Sequence, residues 1–247
     1  MPDPTTPSRR VPAQLAALGL LLLASCTTTG GSDDPLEGTN RAFHALNKGV
    51  DQVVLRPVSQ IYGAVTPDPV EDMVSNAAAN LGAPGDAVNY ILQGDFASAL
   101  KMTGRFAVNS TIGLAGLFDP ATELGLLAET TDFGQTLHVW GVKEGAYVEL
   151  PLLGPSTGRD ALGRAVDIVL DPVNALVSAP ESDYVLGARI LGTVDQRKRL
   201  AGVVDELLYN SADSYAASRT AYLEYRRRQL GGEIDAEEFD DPFAFDE

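Results

Sequence analysis

Residues 147–170, YVELPLLGPSTGRDALGRAVDIVL, decide between two kinds of protein. An extended apolar run closes on Gly154-Pro155-Ser156-Thr157-Gly158, and a helical pattern follows directly. Strand, G-x-S-x-G and helix make up the nucleophile elbow of α/β-hydrolases, in which a strained turn exposes the serine hydroxyl. That fold needs a parallel sheet beneath the serine, and the chain has no strand–helix–strand alternation from which to build one. Both histidines, His44 and His138, precede Ser156, whereas the hydrolase order is serine, acid, histidine. Other folds order the triad differently and a Ser–Lys pair needs no histidine, so a serine esterase or phospholipase built on Ser156 stays open as the alternative. In a chain with 24 glycines the pentapeptide arises readily by chance. Pro155 and Gly158 suit a turn, with Ser156 or Thr157 capping the next helix. We read a turn, and a protein that is not an enzyme.

Around this stretch the periodicity is helical. RAFHALNKGVDQVVLRPV spaces Phe43, Leu46, Val50, Val53 and Val54 at threes and fours, up to a break at Pro57. PGDAVNYILQGDFASALKMTGRFAVNS reads as two helices, the first capped by Asp86 and ended by Gly94, the second capped by Asp95. The second interleaves Phe96, Leu100 and Phe106 with small residues, which lets helices approach closely in membranes and in soluble bundles alike. RDALGRAVDIVL places Leu162, Ala165, Val166, Val169 and Leu170 on one face. VVDELLYNSADSYAASRTAYLEYRRRQL reads as one long amphipathic helix with a stripe from Val204 through Leu208, Tyr215 and Tyr222. Extended structure is confined to residues 135–153, where QTLHVW and AYVEL flank Gly141-Val142-Lys143-Glu144-Gly145 in a glycine-hinged hairpin. The fold class is mainly α.

The two ends carry different information. MPDPTTPSRRVPAQLAALGLLLLASC has a basic pair, an apolar stretch from Val11 to Leu23 and small residues before Cys26, the pattern of a secretory signal over residues 1–25. Leu23-Ala24-Ser25-Cys26 resembles a bacterial lipobox, and Cys26 is the chain's only cysteine. Acylation at Cys26 gives that lone exported cysteine a purpose, and several acyl chains anchor firmly. Thr27, in place of aspartate, favours the outer membrane, with the domain on the periplasmic side. Residues 26–35 form a polar tether, residues 36–230 the helical domain, and residues 231–247 an acidic, disordered tail with eight acids and no base. No segment after the signal is apolar enough to span a bilayer. The net charge of −16 argues against nucleic acid and against a polybasic grip on anionic lipid.

Other candidates for chemistry dissolve on inspection. His138 has no His or Cys partner at metal-ligand spacing, and PDPVED (residues 67–72) lacks the EF-hand layout, so neither metal nor cofactor is expected. GRFAVNSTIG contains no P-loop lysine. Trp140 suits either a membrane interface or a core.

Four ordered segments carry a family resemblance. DPLEGTNRAFHALNKGVDQVVLRPV has D-P-x-E-x-x-N-R and a later L-R-P; the central helices contain R-F-x-x-N-[ST]-x-x-G-x-x-G-x-x-D. DFGQTLHVWGVKEGAYVELPLLGPSTGRD and YNSADSYAASRTAYLEYRRRQL complete the series. Together these resemble the MlaA (VacJ) family of outer-membrane lipoproteins. The resemblance implies a ring-shaped helical domain lodged in the inner leaflet of the outer membrane. An amphipathic channel in it removes mislocalised phospholipids from the outer leaflet and so maintains lipid asymmetry. It further implies phospholipids as cargo, a trimeric porin and a soluble periplasmic lipid carrier as partners, and no hydrolysis. By position, Gly141, Val142, Lys143 and Gly145 fall on a flexible loop near the lipid path, with Lys143-Glu144 replacing the family's usual Gly- and Pro-containing stretch. Asn40, Arg41 and Phe43 match the opening motif and are expected to position the first helix. A structural lipoprotein that braces a porin is a further alternative.

Overall fold

The computed structural model describes residues 34–231; the signal segment, Cys26, most of the tether and the acidic tail lie outside them. Helix α1 (Glu37–Val50) runs into a π-helical turn (Asp51–Leu55) and on into α2 (Arg56–Val65). The expected break at Pro57 is therefore absent. The wide turn, closed by Arg56 N–H on the Asp51 carbonyl, carries the chain past the proline. Pro57 then sits in the first turn of α2, where its missing donor costs least.

Helix α3 spans Asp68–Gln93 with Pro84 inside it, so Asp86 is an interior residue and not a cap. Packing against neighbouring helices overrides the local helix-breaking preference of Pro84. Gly94, at φ +80°, ends α3 in the left-handed conformation, and Asp95 caps α4 (Phe96–Thr111) by accepting from Ser98 N–H at 3.0 Å. These two boundaries fall where the sequence puts them. A one-turn helix α5 (Pro120–Glu123) follows.

The segment QTLHVW is helical, not extended. Helix α6 (Phe133–Val139) begins at Asp132, whose carboxylate takes Gln135 N–H at 2.8 Å, and closes at Gly141, with Val142 N–H on the Leu137 carbonyl. Gly141 adopts φ +84°, which explains glycine there. The antiparallel pair lies one element later: β1 (Tyr147–Leu150) against β2 (Gly154–Thr157), with Val148 opposite Ser156. Thus GPST is a strand, and the turn is Pro151 to Leu153. Thr157 caps α7 (Gly158–Leu170) through Asp160 N–H at 3.2 Å.

After α8 (Pro172–Leu176), α9 (Glu181–Arg199) packs along α2 and α3. The closing segment is not one helix. It divides into α10 (Ala201–Asp205), a second π-helical turn (Glu206–Asn210) and α11 (Ser214–Gln229). Asp213 makes the division by capping α11 on Tyr215 and Ala216 N–H. The anticipated stripe from Val204 to Tyr222 therefore lies on two helices. Among the described residues no helix is long and apolar enough to cross a membrane.

The core is unusual in composition. Its buried apolar cluster consists of Ala83, Ala87, Tyr90, Ala99 and Met102, with Phe106 against it. Large apolar side chains point outward instead: Leu100 on α4 is 74 % exposed, Val169 on α7 80 % and Leu176 on α8 85 %. The amphipathic periodicity holds, but small and polar faces turn in while large apolar faces turn out.

Candidate functional site

Inside, charged residues are paired across elements. On α11, Arg226 is buried and grips Asp132 at 2.6 and 2.8 Å and Asp160 at 3.1 and 3.2 Å, tying the start of α6 to α7. Burial pushes the Asp160 carboxyl up, but hydrogen bonds from Arg226 and Tyr222 outweigh it and hold it below the usual carboxylate range. Arg197 on α9 binds Asp51 at 2.7 and 3.0 Å and Asp205 at 2.6 Å, while Tyr209 donates to Asp51 at 2.8 Å. One guanidinium thus ties the first π-helical turn to the end of α10, and Tyr209 reaches the same carboxylate from the second turn. Arg105 on α4 pairs with Asp119 at 2.9 Å, and Asn109 donates to the same carboxylate at 2.9 Å. Burial raises Asp119, yet the Thr122, Arg105 and Asn109 hydrogen bonds bring it down to about 2.

That last group explains the R-F-x-x-N-S-x-x-G-x-x-G-x-x-D motif, to which sequence reasoning assigned no role. Arg105, Asn109 and Asp119 close a loop around two glycines. A Cβ on Gly113 would collide with the Phe118 carbonyl and lie 2.5 Å from that of Asn109. Gly116 takes φ +89° against Asn80. The motif's fixed spacing was the available signal. Gly134 and Gly163, described below, gave none.

Between these polar ties lies a cavity of about 260 Å³ bounded by α3, α7 and α9. Leu81, Val88, Leu92, Val166 and Leu170 supply apolar walls; Asp86, Asp167, Asp171 and Arg189 supply charge. Leu170, one of its walls, is exposed, so the cavity opens beside apolar surface. Arg189 pairs with Asp171 at 2.5 Å. Asp86 accepts Thr131 N–H at 3.0 Å, and Asp167 accepts from Asn89 at 2.9 Å and Phe133 N–H at 3.0 Å. Burial, with the neighbouring Asp132 and Asp167 charges, lifts Asp86 to about 7.

A carboxyl with a higher pKa folded than unfolded binds more protons when folded. Its contribution is full below the unfolded pKa and is lost as pH rises through the folded value. Asp86→Asn retains an acceptor for Thr131 and escapes that loss. The variant is expected to be more stable than the parent above about pH 7 by roughly 2–4 kcal/mol, with no gain near pH 4. Denaturant unfolding of the solubilised protein at both values checks this, and equal stability at the higher pH would contradict it.

The other expected positions fall as follows. Asn40 is 2 % exposed and joins α1 to the hairpin: its amide donates to the Tyr147 carbonyl at 3.0 Å and accepts Glu149 N–H at 2.9 Å. Arg41 is exposed, pairing with Glu37 at 2.8 Å and with Asp213 at 2.8 and 3.1 Å. Phe43 is half-buried. Gly141, Val142, Lys143 and Gly145 form the connection from α6 to β1, with Lys143 exposed. Its second half is pinned to the start of α7 by Arg159 N–H on the Glu144 carbonyl (3.1 Å) and Gly158 N–H on that of Ala146 (2.9 Å). Asn40 and this loop meet through β1; Arg41 instead faces α11. Asn40→Ala strips both hydrogen bonds from the hairpin backbone and is expected to cost about 2 kcal/mol, read from denaturant midpoints. His138 and Trp140 are exposed, the Trp140 indole donating to the Leu92 carbonyl at 3.0 Å. Ser156 is fully buried, its hydroxyl on the Thr157 carbonyl at 3.3 Å.

Comparison with known proteins agrees with this architecture. The pattern of the MlaA lipoprotein family matches residues 32–229. The chain is 36 % identical over 233 residues to the intermembrane phospholipid transport system lipoprotein MlaA of Shigella flexneri, covering 90 % of each. It is 35 % identical over the same length and shares to the protein of that name from Escherichia coli (strain K12). A solved structure, reported as the structural basis for maintenance of bacterial outer membrane lipid asymmetry, matches at TM-score 0.67 and 33 % identity. That match covers 80 % of this chain and 98 % of the other.

Proposed function

The chain belongs to the MlaA lipoprotein family, and from that premise we propose that it draws mislocalised phospholipids out of the outer leaflet through a polar path inside an apolar-faced helical body. It is an intermembrane phospholipid transport lipoprotein that maintains outer-membrane lipid asymmetry, and it is not an enzyme. The observation that carries the mechanism is the inverted distribution of residues: large apolar side chains outside, paired charges inside. Moving a phospholipid needs a route on which the headgroup stays among polar groups while the tails stay dry. Helices with internally satisfied backbones tolerate hydrocarbon on their outer faces.

In this reading Cys26 carries the lipid anchor that holds the domain in the periplasmic leaflet of the outer membrane. Several acyl chains there supply a firm attachment that surface charge does not. The lipid passes on to a soluble periplasmic carrier, and a trimeric porin seats the domain. Asn40, Arg41 and Phe43 position the first helix, Asn40 against the hairpin and Arg41 against the start of α11, and the Gly141–Gly145 connection borders the path.

The test is outer-leaflet phospholipid in cells lacking the gene, complemented with wild type or Ser156→Ala. Deletion is expected to raise surface phospholipid, and both genes to restore it. A Ser156→Ala protein that folds and localises yet fails to restore asymmetry would overturn the transport mechanism. Unchanged surface phospholipid with perturbed porin assembly would favour a brace.

A further inference from the structure

The cavity between α3, α7 and α9 holds charge that the fold does not neutralise. Asp86 is about nine-tenths buried, yet its one hydrogen bond is from Thr131 N–H, and neither it nor Asp167 lies within 4 Å of a basic side chain among the described residues. The buried carboxylates Asp51 and Asp160 described above each have an arginine on them. A buried carboxyl without a counter-ion either takes up a proton, as Asp86 does near pH 7, or stays ionised by taking its cation from outside the chain. The same cavity carries one guanidinium, Arg189, whose partner Asp171 leaves part of its five-donor fork free for an anion.

We propose that this cavity is a headgroup site selective for phospholipids bearing an ammonium, with the ammonium at Asp86 and Asp167 and the phosphate at Arg189. The inference rests on the transport reading and names the cargo class for it. A volume of about 260 Å³ suits a headgroup and not a whole lipid. Tails leave over the exposed apolar wall at Leu170. A lipid with an uncharged glycerol headgroup satisfies Arg189 but leaves both carboxylates uncompensated. Burial, and after it repulsion from Asp132 and Asp167, raises Asp86, and a bound cation offsets both.

The detergent-solubilised full-length lipoprotein is incubated with an equimolar mixture of phosphatidylethanolamine and phosphatidylglycerol of matched chains, and bound lipid is counted by native mass spectrometry. Wild type is expected to enrich phosphatidylethanolamine about fivefold, one modest ion pair's worth of discrimination. Asp86→Asn and Asp167→Asn each keep their backbone hydrogen bond and are expected to abolish the enrichment by bringing phosphatidylethanolamine binding down to the level of phosphatidylglycerol. Equal binding of the two lipids by wild type, or enrichment that survives both substitutions, overturns the headgroup assignment and leaves transport intact. If neither lipid binds, the transport reading itself fails. Glycerophosphoethanolamine, which lacks tails, is expected to compete weakly; competition as strong as that of the lipid would make this a site for a soluble zwitterion and overturn the lipid assignment.

Discussion

Gly163→Ala is expected to be the most damaging small substitution in the protein, costing more than about 3 kcal/mol. Helices α6 and α7 cross with backbone against backbone. A Cβ on Gly163 would land on the Gly134 amide nitrogen and 2.7 Å from its Cα, with the Phe133 carbonyl carbon at 3.0 Å. None of these atoms can rotate aside. Nor can α6 back away, because Gly134 is itself enclosed: a Cβ there would lie 2.6 Å from Asp160 Oδ1 and 2.8 Å from Arg226 Nη2. Alanine's better helix propensity returns only about 1 kcal/mol. Thermal unfolding of the solubilised protein should show Gly163→Ala and Gly134→Ala both severely destabilised. A melting temperature within a few degrees of wild type for either would mean that the helices do not cross so closely.

The second large effect is expected at Arg226. Its buried guanidinium binds Asp132 and Asp160 together, so Arg226→Met leaves Asp132 without an arginine and Asp160 with only Arg159 at 3.2 Å and Tyr222 at 2.8 Å. Breaking a buried pair from one side costs about 3–5 kcal/mol, whereas replacing a whole group by apolar residues is often neutral. The double variant Arg226→Met/Asp160→Asn is therefore expected to recover part of the loss in denaturant unfolding. With the arginine gone, its hydrogen bonds and charge no longer hold Asp160 down; Tyr222 and Arg159 still oppose the rise, and Arg226→Met should lose less stability than wild type as pH falls. A single variant within about 1 kcal/mol of wild type would show the network to be dispensable.

Much of this architecture is legible in the chain. Threes-and-fours spacing identifies α1, α4 and α7, while Gly94 and Asp95 mark the boundary between α3 and α4 as helix chemistry requires. Periodicity says that a helix has two faces but not which solvent each one meets. Leu100 and Val169 therefore look like core residues until the fold turns them outward. Both strands of the hairpin are short, and Pro155 disguises the second; a two-stranded ribbon leaves each strand a free edge, where a missing N–H is harmless. In QTLHVW the apparent alternation yields to Asp132 and Gly141, a cap at each end. The π-helical turns leave no local signature, since they answer to Arg197, which lies far along the chain from Asp51. For the same reason the cavity is illegible: Asp86, Asp167 and Arg189 are brought together only by the packing of α3, α7 and α9.

The central claim is that the outward apolar faces meet hydrocarbon. Spin labels introduced singly at Leu100→Cys, Val169→Cys and Leu176→Cys, in protein reconstituted into phospholipid bilayers, test it directly. Collision with dissolved oxygen is expected to exceed collision with a water-soluble nickel chelate at all three, with the reverse at Lys143→Cys in the exposed loop. Chelate-dominated relaxation at all four sites would place the apolar faces in water and contradict the account.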